Sequence, residues 1–155
     1  MTITANGLIQ QLNKKFDAGT QQIAAFTFDA AGYDANGVSN MTVLAHPTPV
    51  ELPANAIVMG GFLDVNTLFT SANANNGTIA VSVEAANDIV TAAAVSGAPY
   101  STIGRKAITP KANTPESTAV KTTVARKITC TVAVSALLTG KLTGYLYWVA
   151  GVVSA

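Results

Sequence analysis

Two segments of the chain alternate apolar side chains with small or polar ones at every second position. GTIAVSVEA, residues 77–85, carries isoleucine and valine on one face and threonine, alanine, serine and glutamate on the other. KITCTVAVSA, residues 127–136, repeats the pattern. A period of two is that of a β-strand with one buried face. The alternation therefore constrains the chain to sheets that must cover an apolar face, which predicts an all-β fold.

Three further segments read as strands, separated by turn residues. MTVLAH, residues 41–46, is expected to stop at Pro47 and Pro49, because proline cannot donate a ladder hydrogen bond. LTGYLYWVAG, residues 142–151, places Tyr145 and Tyr147 opposite its apolar face. The segment after ELPAN is expected to place these side chains on one face: Ile57, Met59, Gly61, Leu63 and Val65.

Little of the sequence predicts helix. The segment ANDIVTAAAVS, residues 86–96, is expected to form a short helix that begins at Asn87 or Asp88, since both residue types cap helices. Strands punctuated by turns, with so little helix, indicate a β-sandwich or barrel.

The composition favours a subunit whose surface is covered by other protein. Of 155 residues, 49% are hydrophobic and only 11% are charged, against about a quarter charged in ordinary soluble domains. Net charge is +1, which implies neither a nucleic-acid nor a membrane partner. The N-terminus lacks the pattern of a secretory signal, and one cysteine allows no intrachain disulfide, so synthesis in a host cytoplasm is expected.

Charge is unevenly distributed along the chain. Residues 1–100 carry seven acidic and two basic side chains, whereas residues 101–155 carry one acidic and seven basic ones. One interpretation is that the two halves face each other within the fold or sit in water. The sharper one is a contact with a neighbouring copy or a partner surface, for which the candidates are Lys121, Arg126 and Lys127.

Phe26 and Phe28 alternate as in a strand, but the sustained strand pattern begins at Met41. We therefore expect residues 1–40 to form an N-terminal arm or an added sub-region and residues 41–155 to form the sandwich domain. Within the arm, helical spacing predicts a short amphipathic helix that needs a partner surface. Its apolar residues are candidates for contact with that surface: Leu8, Ile9, Leu12 and Phe16.

No set of residues predicts catalysis or metal binding. His46 is the only histidine, and Cys130 lies in the middle of a strand on its apolar face, so we expect a structural histidine and a buried thiol. With one of each, the chain cannot build a usual zinc site by itself. The sequence near Asp34 is expected to form a turn, and Asp64 and Glu84 are expected to face solvent on their strands. We therefore predict no enzyme activity and no cofactor.

The order of these strands resembles that of a known family. VELPANAIVMGGFLDVNTLFTSANANNGTIAVSVEAANDIV and the closing ITCTVAVSALLTGKLTGYLYWV resemble the core of small phage capsid decoration proteins, also called cement or head-stabilising proteins. The likeness spans about residues 43–149. Two departures stand out. The glutamate common in the family's last strand is replaced around Tyr147 and Trp148, and the first 40 residues have no counterpart.

The resemblance implies a jelly-roll-like β-sandwich that assembles as a trimer on the exterior of a capsid and ties major-capsid subunits together. The partners would be further copies of the chain and the major capsid protein, with no enzyme activity and no cofactor. Tyr145 and Tyr147 are candidates for the trimer interface. The alternative is a head-fibre base or a receptor- or glycan-binding sandwich on the virion, in which the same rings would stack on sugars.

Overall fold

The structure, a computed structural model, describes residues 20–111 and 119–151. Within them the chain is a sequence of β-strands with one short helical turn, Ala72–Asn75, in which Asn73 and Ala74 adopt left-handed dihedrals. The strands are β1 (Gln22–Asp29), β2 (Ala45–Leu52), β3 (Ala56–Ser71), β4 (Thr78–Ser82), β5 (Val90–Ala94), β6 (Gly104–Ile108), β7 (Val120–Lys121), β8 (Arg126–Ala133) and β9 (Leu137–Ala150).

These strands form two antiparallel sheets that face each other. The five-stranded sheet has the order β1-β9-β3-β6, with β7 added on β3, and the four-stranded sheet has the order β2-β8-β4-β5. The long strands β3 and β9 pair over most of their length. The predicted all-β sandwich is therefore confirmed.

The core lies between the sheets and is built from the alternating residues. On the inner side of the four-stranded sheet, Ile79 and Val81 of β4 lie beside Ile128, Cys130 and Val132 of the neighbouring strand β8. All five side chains are buried. Each fully buried aliphatic side chain of this kind contributes ~1.5–3 kcal/mol relative to exposure. Side chains at every second position of these segments are therefore buried, as the sequence pattern predicts.

At the double glycine of β3, Gly60–Gly61, the side chains that face the core change from even-numbered to odd-numbered positions. The sequence pattern places Met59 on the buried face, but Met59 is exposed and Val58 is buried. The register with β9 shifts between Val58 and Gly60, so β3 contains one extra residue there. An extra residue moves every following side chain to the other face. A Cβ on Gly61 would also lie 2.0 Å from the Tyr145 carbonyl oxygen, so only glycine fits this close approach.

Strand β2 runs through both prolines that were expected to stop it. It spans Ala45–Leu52 and includes Pro47 and Pro49. It is the edge strand of its sheet, and its register with β8 is interrupted between Pro47 and Glu51. An edge strand tolerates proline because one side of its backbone needs no partner.

The helix expected over residues 86–96 is not formed, and Val90–Ala94 is strand β5 instead. The buried Asp88 caps a turn, not a helix. Its carboxylate accepts hydrogen bonds from the backbone N–H groups of Val83, Glu84 and Ala85 at 2.8–2.9 Å. By accepting hydrogen bonds from three backbone amides, Asp88 stabilises the turn that ends strand β4. The chain then returns beside β4 as strand β5.

The sandwich begins well before residue 41. Strand β1 pairs with β9 along its whole length, and its Phe26 and Phe28 are part of the core. Residues 20–40 therefore belong to the sandwich, which departs from the predicted boundary at residue 40. The alternation of these two phenylalanines was visible in the sequence but was too short to distinguish a core strand from an arm. The predicted helix residues Leu8, Ile9, Leu12 and Phe16 lie outside the described residues.

Candidate interaction surface

The outer face of the five-stranded sheet carries a group of aromatic side chains. Tyr145 and Tyr147 lie on the outward side of β9, as their alternation predicts, and both are half-buried. The register of β3 and β9 places Phe62 directly opposite Tyr145. Together with Arg105 of β6, these residues form what we call the aromatic patch.

The rings of the aromatic patch are in direct contact. The centroids of Phe62 and Tyr145 are 4.6 Å apart, with the ring planes at 26°. Tyr147 meets Phe62 edge-on at 6.1 Å. The Cζ atom of Arg105 lies 4.4 Å from the centroid of the Phe62 ring. Packed against one another, these side chains have few rotamers to lose on binding, which makes the patch a preorganised surface.

An ion pair holds Arg105 in place over the ring. Its Nε and Nη2 atoms each donate a hydrogen bond of 3.0 Å to the carboxylate of Asp64. These bonds keep the pKa of Asp64 below its ordinary value and raise that of Arg105. The pair is therefore charged near neutral pH, and its planar, bidentate geometry orients the guanidinium above Phe62.

Sequence reasoning found the two tyrosines but not their neighbours. The alternation that places Gly61, Leu63 and Val65 on the buried face predicts that Phe62 and Asp64 point outward together, which is a usable signal. Arg105 is 43 residues further along the chain than Phe62, and only the pairing of β3 with β6 brings it to Asp64.

Two arginines of the basic second half of the chain pair with carboxylates of the acidic first half. Arg126 contacts Glu84 at 3.0 Å, and the Glu84 carboxylate also accepts hydrogen bonds from Thr123. The Arg126 guanidinium, followed by the Thr123 hydroxyl, lowers the pKa of Glu84 to about 2. The acidic first half and the basic second half of the chain thus meet within the fold here, as they do at Asp64 and Arg105.

Lys121 and Lys127 are exposed. Lys127 lies opposite Glu51 in the register of β2 and β8, and Lys121 lies on the short strand β7. The guanidinium of Arg126 is already occupied within the chain, so the predicted charge contact with another subunit now depends on Lys121 and Lys127. It stays a prediction.

The histidine is buried against an aspartate. His46 Nδ1 lies 3.0 Å from Asp34 Oδ2, and the two side chains are 0% and 1% exposed. His46 Nε2 lies 2.8 Å from the carbonyl oxygen of Thr42, so this nitrogen donates. The other Asp34 oxygen accepts from the amides of Asn36 and Val38 and closes the expected turn. Both ring nitrogens are occupied by structural partners, which leaves neither as a base for a substrate.

The lone thiol is equally enclosed. Cys130 is fully buried, and burial raises its pKa to about 12. Within residues 20–111 and 119–151, no three metal-ligating side chains lie close enough to hold an ion. In the same part of the chain, no helix is long and apolar enough to cross a membrane.

Solved phage capsid structures contain chains with the same fold. This chain is similar to one in the cyanophage Pam1 capsid asymmetric unit, with a TM-score of 0.59 and 18% identity, covering 85% of this chain and 86% of that one. It is similar to one in the capsid of Ralstonia phage GP4, with a TM-score of 0.54 and 16% identity, covering 88% of each chain.

A third likeness is to a chain in the acidic stable capsid structure of Helicobacter pylori bacteriophage KHP30. The TM-score is 0.55 and the identity 11%, covering 85% of this chain and 89% of that one. No protein-family profile matches the sequence, and no curated protein sequence matches it. Identities this low show a shared fold and nothing more specific.

Proposed function

We propose that the protein is a capsid decoration protein that binds the outer surface of a phage capsid as a homotrimer and stabilises contacts between major-capsid subunits. The observation that carries the proposal is the fold. The same sandwich occurs in three phage capsid structures, and each match covers at least 85% of this chain and at least 86% of the other. Correspondence over nearly the whole of both chains favours a virion protein built around this one domain.

The aromatic patch supplies a surface of the kind that this function needs. Tyrosine, phenylalanine and arginine are enriched at the centres of protein interfaces, where a few such side chains provide most of the binding free energy. The partner is either a neighbouring copy, as predicted for Tyr145 and Tyr147, or the major capsid protein. In both cases the rings are the anchors, and the Asp64–Arg105 pair sets their orientation.

Repetition would make weak contacts sufficient. A trimer that engages a shell at three equivalent points gains ~10²–10⁴-fold in apparent affinity over one subunit, provided that the three sites can be reached together. The N-terminal residues Leu8, Ile9, Leu12 and Phe16 remain our candidates for a further contact with the shell. Such a protein needs no cofactor and no catalytic group, and we propose that it has none and does not bind nucleic acid.

A receptor- or glycan-binding role on the virion is the second candidate. The observation in its favour is the arrangement of Tyr145 and Tyr147 beside the polar Asp64–Arg105 pair. Partly exposed aromatic faces bordered by hydrogen-bonding groups offer both an apolar platform for stacking and polar groups for orientation.

Binding to particles tests the proposal. Phage heads that lack the protein are mixed with purified wild-type, Tyr145→Ala or Tyr145→Phe protein and then sedimented. We expect wild type and Tyr145→Phe to co-sediment, because the ring is retained, and Tyr145→Ala to bind at least about tenfold more weakly. Circular dichroism and thermal melting of all three verify folding.

Two outcomes would oppose the proposal. If no form binds heads, while the wild type and not Tyr145→Ala binds a glycan array, the glycan role replaces the decoration role. If Tyr145→Ala binds heads as tightly as wild type, the aromatic patch is not the anchor, and deletion of residues 1–20 becomes the decisive variant.

A further inference from the structure

One end of the sandwich exposes long uncharged stretches of chain, and the carboxylate of Asp34 in the β1–β2 connection there is buried against His46. The connections β1–β2, β3–β4 and β8–β9 lie at this end, since strands β1, β3 and β8 end there and their successors begin there. Three stretches that contain no Asp, Glu, Lys or Arg meet in these connections: residues 38–44, 66–77 and 132–140. We call them together the uncharged pole.

Hydrogen bonds join the three stretches into one surface. Leu137 N–H donates to the carbonyl oxygen of Met41 at 2.9 Å, and Ala72 N–H donates to that of Ala136 at 3.0 Å. The side chain of Asn73 also donates to the hydroxyl of Ser135 at 3.2 Å. The β8–β9 turn is therefore the centre of the pole, with the other two connections bonded to its flanks.

Large apolar side chains project from this surface into solvent. Between 42% and 65% of each is exposed: Val43, Leu44, Leu68, Val134 and Leu138. Their backbones are adjacent, since the carbonyl of Leu44 accepts from Val132 and that of Leu68 accepts from the Thr139 hydroxyl. Single exposed aliphatics are ordinary, but five on adjoining stretches of chain without an intervening charge form a patch of the kind that marks interaction sites.

The backbone at the centre of the pole is strained in a way that keeps one of these side chains outward. Val134 has φ of 68°, and Ser135 N–H donates to the carbonyl of Ala133 at 2.8 Å, which closes a three-residue turn. A β-branched residue in left-handed backbone is a conformational outlier, and such strain concentrates at functional sites. Asparagine or glycine would relieve it but would remove the apolar side chain.

Charge appears around the edge of the pole and at the opposite end. Two internally neutral ion pairs border it, Asp29–Lys141 and Asp64–Arg105, and the Lys106 ammonium reaches the carbonyl of Ile103 nearby. The opposite end carries exposed or partly exposed charges of both signs: Glu51, Glu84, Lys111, Lys121, Arg126 and Lys127. An uncharged centre with a polar border is the anatomy of a protein interface.

The chain's own terminal segments leave from the opposite end. Gln22, where β1 begins, pairs with Trp148 near the end of β9, and both lie at the charged end. The segments outside the described residues therefore begin away from the uncharged pole. This favours another molecule as the partner that covers the pole.

We infer that the uncharged pole is a contact surface between copies of this chain. At the threefold axis of a trimer, the same side chains of the three copies approach one another, so a charged surface there would set like charges together at a cost in free energy. An uncharged, apolar surface meets its own copy without that cost. The inference rests on the homotrimer of the proposed function and assigns its contact to the pole, which leaves the aromatic patch for the shell.

Paired variants test the inference in the purified full chain. Val134→Asn combined with Leu138→Thr removes two apolar side chains, and asparagine suits the positive φ at residue 134, so the fold is retained. Val124→Asn is the matched control, because Val124 is also exposed but lies at the charged end. Sedimentation velocity over a micromolar concentration series should show the double variant dissociating at a concentration at least about tenfold higher than wild type and Val124→Asn.

A thiol at the pole provides an independent measurement. Cys130 is buried, so Leu138→Cys and Val124→Cys each carry one accessible thiol. We expect a short bismaleimide to join copies of Leu138→Cys into dimers and to leave Val124→Cys monomeric on denaturing gels.

Three results would overturn the inference. They are a monomeric wild type throughout the series, an unchanged mass for the double variant, and no cross-link through Leu138→Cys. If the double variant stays trimeric while Tyr145→Ala dissociates, the contact lies at the aromatic patch and the proposed function stands. If the double variant stays trimeric but loses binding to heads, the pole faces the shell.

Discussion

A glycine in strand β9 creates the space for a core phenylalanine. Gly144 pairs directly with Phe26 of β1, and the Phe26 ring lies over it. A Cβ added at Gly144 would lie 2.2 Å from two atoms of that ring. Carbon atoms prefer ~3.5–4.0 Å, so the ring would have to move by roughly 1.5 Å.

We therefore expect Gly144→Ala to lower the free energy of unfolding by ~1–3 kcal/mol, the usual cost of overpacking a core. The cause can be isolated with a second substitution. Phe26→Leu removes the far part of the ring, so Gly144→Ala should cost less in that background. A coupling of at least about 0.5 kcal/mol is expected for side chains in contact.

Urea denaturation at one fixed protein concentration measures the four free energies of this double-mutant cycle, because association changes apparent stability. Gly97→Ala is the control, since its added Cβ would lie 3.6 Å from the nearest atom, the Ala94 carbonyl oxygen. It should change stability by less than ~0.5 kcal/mol. The reasoning is refuted if Gly144→Ala is as mild as Gly97→Ala, or if the two substitutions are additive.

Three further expectations concern titratable groups. Arg126 lowers the pKa of Glu84 from 4.5 to about 2, so the pair stabilises the fold above about pH 4.5 and this contribution is lost as pH falls toward 2. Glu84→Gln should cost on the order of 1 kcal/mol at pH 7, because the pair is partly solvated, and the difference from wild type in urea denaturation should narrow over that pH range. His46→Ala should lower the urea midpoint by leaving Asp34 buried without its partner, and Asp34→Asn in the same background should recover part of the loss. Cys130 should react with a thiol reagent only in denaturant, as followed by absorbance, and reaction in native buffer would contradict its burial.

Local pattern was sufficient for β4 and β8, the two central strands of the four-stranded sheet. The alternation in β4 and β8 reflects which side chains face the core, and such a pattern is present in any window of the sequence. It also placed Tyr145 and Tyr147 on the outer side of β9. These features depend on one strand at a time, so sequence alone determined them.

Features that depend on two or more strands were decided by tertiary structure. Pro47 and Pro49 are compatible with β2 only because β2 is an edge strand, and edge position is a property of the sheet. The strand β5 replaces an expected helix because β4 offers it a partner and Asp88 closes the turn between them. Phe26 and Phe28 became core residues once β1 was paired with β9.

The surfaces follow the same division. The sequence by itself determined that charge is scarce and that long uncharged stretches exist, because composition is independent of folding. Only the topology gathered three of those stretches at one end of the sandwich, and only the pairing of β3 with β9 and β6 brought Phe62 together with Tyr145 and Arg105. The physical reason is that burial periodicity is local, whereas register and strand order are set by hydrogen bonds between segments far apart in the chain.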